Sequence, residues 1–277
     1  MKINMKKVFA MLITVLMAFT IAGCSKSNTT DTASKDTKEF DTSVYKNNDF
    51  LITPQALDKL IKDKSVVLLD CNKPDVYAKE HIPGAINIGV QAFSDKTGKP
   101  GDPNWGIILP KDKLKAALEA LGVDNTTTVV LYSDLFKGPG ADGRAVWQLR
   151  QAGLTNVKLL VGGTTYWKEL GYSVSTEAAK ATTKTGVVLK DYDLTNSATK
   201  DYVYSNLGKE VVIDVRTKGE YEGSQKAGEP RGGHIKGAVN LLWTDLLNKN
   251  GTPKTPKEIT DLMAGLGVKP GDTFVVY

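Results

Sequence analysis

A twelve-residue stretch ending at Tyr132, LGVDNTTTVVLY, returns 145 residues later as LGVKPGDTFVVY ending at Tyr277. Upstream, VVLLDCNKPDVYAKEHIPGAINI at 66–88 aligns with VVIDVRTKGEYEGSQKAGEPRGGHIKGAVNL at 211–241. The alignment pairs Asp70 with Asp214, Tyr77 with Tyr221, and His81-Ile82-x-Gly84-Ala85 with His234-Ile235-x-Gly237-Ala238, the second copy carrying an insertion between its Tyr and His. Self-similarity on this scale means tandem homologous units.

Each unit alternates strand and helix signals. In the first, FLIT, VVLLD, TVVLY and VKLLV are short apolar runs of strand length, whereas PQALDKLIKD and PKDKLKAALEALG carry helical spacing. Strands that are apolar without alternation are covered on both faces, which predicts an α/β fold with a parallel sheet between helix layers. Chemistry in such folds gathers at the carboxyl ends of the strands, so the residue following VVLY is the place to look.

The N-terminus is a separate piece. Lysines 2, 6 and 7 precede an apolar run from Val8 to Ile21, too short to span a bilayer and shaped like an export signal. Ile21-Ala22-Gly23-Cys24 then resembles a bacterial lipoprotein lipobox, which implies cleavage after residue 23, a lipid on Cys24 and an extracytoplasmic protein anchored to the cell membrane. Residues 24–45 are expected to be a flexible tether, since Ser, Thr, Asp and Lys dominate it. The net charge of +5 includes those three leader lysines, and the remaining +2 gives no reason to expect a nucleic-acid partner. With Cys24 lipidated, Cys71 is the one cysteine left, so no intramolecular disulfide can form.

D-x-R with H-I-x-G-A at 214–238 resembles the first half of a rhodanese domain and V-x-x-L-x-G-G at 157–163 the second half of another, so that from Phe50 to Tyr277 the chain resembles a two-domain rhodanese, the thiosulfate and 3-mercaptopyruvate sulfurtransferases. The resemblance implies rhodanese-like units at 46–175 and 176–277, the first non-catalytic and the second carrying sulfur on a cysteine directly after its V-V-Y strand. A small anionic sulfur donor and a thiol or cyanide acceptor are the implied partners, with no cofactor and no metal. Sulfur transfer requires an ionisable thiolate that attacks sulfane sulfur and holds it as a persulfide, which a serine hydroxyl cannot do. The slot after Tyr132 holds Ser133, so the first unit is expected to be inert. In the second unit that slot falls immediately beyond Tyr277, so the second unit is expected to be incomplete and the 277-residue chain inactive. An alternative is a non-catalytic extracytoplasmic binding or scaffold module that keeps the fold without the chemistry.

Arg216 and Arg231 are the candidate substrate-binding residues, because the family sets cations near an anionic donor; Arg231 is the stronger, since Arg216 could instead pair with a carboxylate such as Glu220. Cys71 reads as a structural thiol. His81 and His234 are expected to fix their turns through hydrogen bonds. Trp147, Trp167 and Trp243 are expected in the core, and Trp105 in a Gly/Pro-rich loop that could cap a cleft.

Overall fold

The computed structural model describes residues 39–277 apart from Gly101, Pro103, Asn104, Ala227 and Pro230. The export signal, Cys24 and the tether as far as residue 38 lie outside the described residues. Among those described, no helix is long and apolar enough to cross a membrane.

The first unit runs β1 (Leu51–Ile52), α1 (Pro54–Lys62), β2 (Val67–Asp70), α2 (Pro74–Lys79), β3 (Ile86–Asn87), α3 (Lys111–Ala120), β4 (Val129–Tyr132), α4 (Ala141–Gln151), β5 (Val157–Leu160) and α5 (Gly163–Glu169). The strands form one parallel sheet in the order β1-β5-β4-β2-β3. Local chemistry sets the ends: Thr53 Oγ1 caps α1 by accepting from Ala56 N at 3.3 Å, with Pro54 in the first turn where no N–H is needed. All four residues of β4 are buried, as a central strand requires. Leu68 and Val130 point into one cluster with Leu57 and Trp167, while Leu69 and Leu131 point into another with Leu114, Leu118 and Leu149. Each face of the sheet is thus packed under helices, the layering that the unbroken apolar strands predict.

The second unit repeats this with α6 (Lys200–Ser205), β6 (Val211–Asp214), α7 (Lys218–Glu222), β7 (Val239–Asn240), a 3₁₀ turn at Trp243–Leu246, α8 (Pro256–Gly265) and β8 (Phe274–Val276). Its parallel sheet has the order β7-β6-β8, matching β3-β2-β4. The register matches as well: Val67 faces Val129 in the first unit, and their counterparts Val211 and Phe274 face each other in the second. The core is much smaller. Ile213, Leu241 and Val268 make up its buried cluster, against sixteen and ten residues in the two clusters of the first unit.

Residues 184–193, placed with the second unit from sequence, lie against the first. Lys184, Lys190 and Asp193 donate backbone hydrogen bonds to Glu119, Ala152 and Gln151, and Val187 is fully buried in the first unit's core. The units touch through Tyr45, whose hydroxyl donates to Lys254 O at 2.8 Å, and at Gly140 (φ 68°), where a side chain would meet the Trp243 ring at 3.5 Å.

Candidate active site

The two carboxyl edges share one scaffold. The Tyr132 hydroxyl accepts from Ile82 N at 3.0 Å, and the Tyr277 hydroxyl accepts from Ile235 N at 2.9 Å. Each tyrosine therefore ties the end of its strand to its H-I-x-G-A turn. The histidines of those turns act as sequence predicts: His81 Nδ1 meets Tyr77 O at 2.8 Å and His234 Nδ1 meets Tyr221 O at 2.7 Å, each ring stacked 3.8 Å from that tyrosine. Asn87 Nδ2 donates to the carbonyls of Asp70 and Asn72, and Asn240 Nδ2 to those of Asp214 and Arg216. These asparagines were missed from sequence, although G-A-x-N stands in both copies.

On this common frame the polarity differs. In the first unit Asp70 is fully buried; Asn72 N donates to its Oδ1 at 2.7 Å, and the Tyr132 hydroxyl is a further hydrogen-bond partner of the carboxyl. Burial raises its pKa. Asn72 Oδ1 in turn accepts from the backbone N–H of Asp134 at 2.8 Å, in the loop after β4. Ser133 is buried, and Asp142 in the first turn of α4 is wholly enclosed, its pKa raised by burial. Lys137 Nζ pairs with Asp134 Oδ2 at 3.0 Å in the same loop, so the enclosed carboxyl of Asp142 is the acidic group that lies behind this slot.

In the second unit Arg216 stands where the first has Asn72. Its Nε donates to Asp214 Oδ1 at 3.0 Å and its Nη2 to Asp214 Oδ2 at 2.6 Å and to Gly233 O at 2.9 Å, while Nη1 reaches Glu229 at 3.4 Å. The guanidinium carbon lies 5.4 Å from the centre of the Tyr277 ring, within cation–π range. Burial works to raise the Asp214 pKa, but Arg216 outweighs it and the carboxyl is held below its ordinary value. Arg216 is correspondingly pushed up, first by its hydrogen bond to Asp214. Its carboxylate partners are thus Asp214 and Glu229 and not Glu220, which is occupied in a capping box with Thr217 at the start of α7. Arg231 is exposed in the loop that carries Glu229.

Cys71 is 1 % exposed in the first unit's core, and burial, then Asp142 and Asp70, push its thiol well above its usual range. Trp167 is buried and Trp243 partly so, but Trp147 is 47 % exposed, against expectation. The buried stripe of α4 is Ala141, Ala145, Val146 and Leu149, and Trp147 falls on its far side.

This repeated scaffold is that of the rhodanese-like domain family, to which the chain belongs: the family's model matches residues 53–170 and 199–277. Within it the chain is a member of the two-domain sulfurtransferases. It is 29% identical over 247 residues to a sulfur carrier protein of Thermus thermophilus, covering 84% of this chain and 83% of that one. To a thiosulfate sulfurtransferase of Azotobacter vinelandii it is 29% identical over 230 residues, covering 82% and 81%. Among solved structures it resembles a 3-mercaptopyruvate sulfotransferase of Escherichia coli (TM-score 0.67, 25% identity, covering 82% of this chain and 87% of that one). It shares the fold of the anaerobic ergothioneine biosynthesis enzyme of Chlorobium limicola (TM-score 0.68, 23% identity, 84% of this chain), spanning 61% of that enzyme's length.

Proposed function

We propose that the protein moves sulfane sulfur from thiosulfate or 3-mercaptopyruvate to a thiol or cyanide, using a cysteine persulfide at the position following Tyr277. The observation that carries this reading is the matched pair of tyrosines, Tyr132 and Tyr277, each bound to its own Ile N–H: whatever follows Tyr277 is the register equivalent of Ser133. A cysteine thiolate there attacks the outer sulfur of thiosulfate, the S–S bond breaks, and sulfite leaves with the electron pair. The acceptor then attacks the outer persulfide sulfur, and the cysteine leaves as thiolate. On this reading Arg231 attracts the anionic donor, while Arg216, held by two carboxylates, fixes the strand end.

Export and a lipid on Cys24 place this chemistry at the outer face of the cell membrane, with the division between units near residues 194–198. The first unit, with Ser133 and the enclosed Asp142, serves as a non-catalytic binding or scaffold partner. Steady-state kinetics of thiocyanate formation on protein carrying residues past Tyr277 test the proposal. Parallel double-reciprocal lines are expected for a double displacement; intersecting lines refute the persulfide route. Loss of membrane association in Cys24→Ala tests the anchor, and unchanged association refutes it.

A further inference from the structure

An open cleft of about 910 Å³ runs along the outer face of α4, formed by residues that take no part in the site described above. Arg144, Trp147, Gln148 and Gln151 of α4 line it, facing the stretch from Trp105 to Pro110 on one side and Tyr192, Leu194 and Ser197 on the other. The walls are tied down. Gln148 Nε2 donates to Ser94 Oγ at 3.1 Å, Gln151 Nε2 donates to Ser197 Oγ at 3.2 Å, and the Tyr192 hydroxyl donates to Leu109 O at 2.6 Å. The two glutamine amides are themselves buried, and Oε1 of Gln151 is left without a partner.

Two properties of this cleft call for a ligand. Trp147, Ile107 and Leu194 are 47 %, 50 % and 56 % exposed, three large apolar side chains left to water in one depression. Arg144, beside them, is exposed, and its side chain makes no hydrogen bond or ion pair among the described residues, its backbone N–H alone donating to Gly140 O. The acidic group of the cleft, Asp95, is turned to its own loop, where its Oδ1 accepts from Thr97 N at 2.8 Å.

We propose that this cleft binds a small molecule with a flat apolar body and one carboxylate or sulfonate, the body against Trp147 and the facing wall, the anion on the Arg144 guanidinium. A planar anion matches the guanidinium fork, and an indole face suits a flat apolar partner. The volume falls in the range of roughly 300–1,000 Å³ typical of small-molecule sites. Fourteen lining residues fall short of the roughly 20–30 a side that a stable protein–protein interface engages, which weighs against a folded partner.

The test uses the full chain and two fluorescent probes with the same aromatic body, the anionic anilinonaphthalene sulfonate and the neutral phenylnaphthylamine. The sulfonate is expected to saturate one site per chain and to bind about tenfold more tightly than the neutral probe, the worth of one charge-assisted contact. Arg144→Gln, a substitution on an exposed side chain, should remove that difference, and Trp147→Ala should weaken both probes at least tenfold. Phe274→Ser, on the exposed strand β8, controls for binding at the second sheet and should change nothing. Retention of the tenfold difference in Arg144→Gln, undiminished binding in Trp147→Ala, or loss of binding in Phe274→Ser would each overturn the proposal.

Discussion

Arg216→Ala should loosen the second sheet and leave the first untouched. The substitution removes two side-chain hydrogen bonds from a carboxylate that is 0 % exposed, leaving Asp214 with the backbone N–H of residue 216 and the Tyr277 hydroxyl. Breaking one side of a buried ion pair costs about 3–5 kcal/mol. Because the Arg216 side chain is itself 26 % exposed, part of that charge is screened, and about 2–3 kcal/mol is the better figure. At about 1.4 kcal/mol per factor of ten, this is a roughly 30- to 150-fold acceleration of amide exchange. Val212 and Ile213 in β6 should show it. Leu68 and Leu69 in β2 should not, since the equivalent position there is Asn72. Complete loss of protection in β6 with β2 intact is the same result carried further, expected if the small core around Ile213 has little stability to spare. Exchange in β6 within threefold of the parent, or equal acceleration in β2, would show that Arg216 does not hold this edge.

Acid should act on the two units in opposite senses. Asp214 is held below its unfolded value, so its contribution is complete above about pH 4 and is lost as pH falls through the lower folded value. Asp70 and Asp142 are raised, so each costs stability at neutral pH and the cost is relieved as they protonate. Exchange of β6 and β2 amides across a pH series, corrected for intrinsic rates, should therefore diverge on acidification; parallel profiles would contradict the assignment. Ser133→Cys should produce neither thiocyanate nor a rapidly alkylated thiol, because the slot is enclosed beside Asp142; turnover in that variant would refute the contrast drawn between the units. Cys71 should react with maleimide orders of magnitude faster in urea than in the native protein, and fast native labelling would contradict its burial. Tyr132→Phe removes the buried acceptor for Ile82 N and should cost about 1–3 kcal/mol in urea unfolding; no loss would remove the tyrosine from the scaffold.

What the sequence made legible was what the repeat carries. The copies aligned at Asp70 and Asp214 and at Tyr132 and Tyr277, and the structure gives each pair the same strand register and the same turn contact. The more distant carboxylate partner of Arg216 was not legible, because Glu229 lies in the insertion between Tyr221 and His234 and has no counterpart in the first unit. Glu220, the carboxylate nearer in sequence, fits T-x-x-E at the head of α7, a capping pattern that gave grounds to exclude it. Trp147 was assigned to the core because it falls where a helix packs on the sheet; the apolar period of α4, buried at 141, 145, 146 and 149, would have placed it outside. The cleft around it depends on residues 192–197 crossing back over α4, a long-range contact that local pattern does not encode.

The location of the sulfur-carrying atom is tested most directly by mass spectrometry of protein carrying residues past Tyr277, treated with thiosulfate, alkylated under non-reducing conditions and digested. The added mass of one sulfur atom is predicted on the residue immediately following Tyr277, and none on Cys71. Persulfide on Cys71, or thiocyanate release by residues 1–277 alone, would contradict the proposed function.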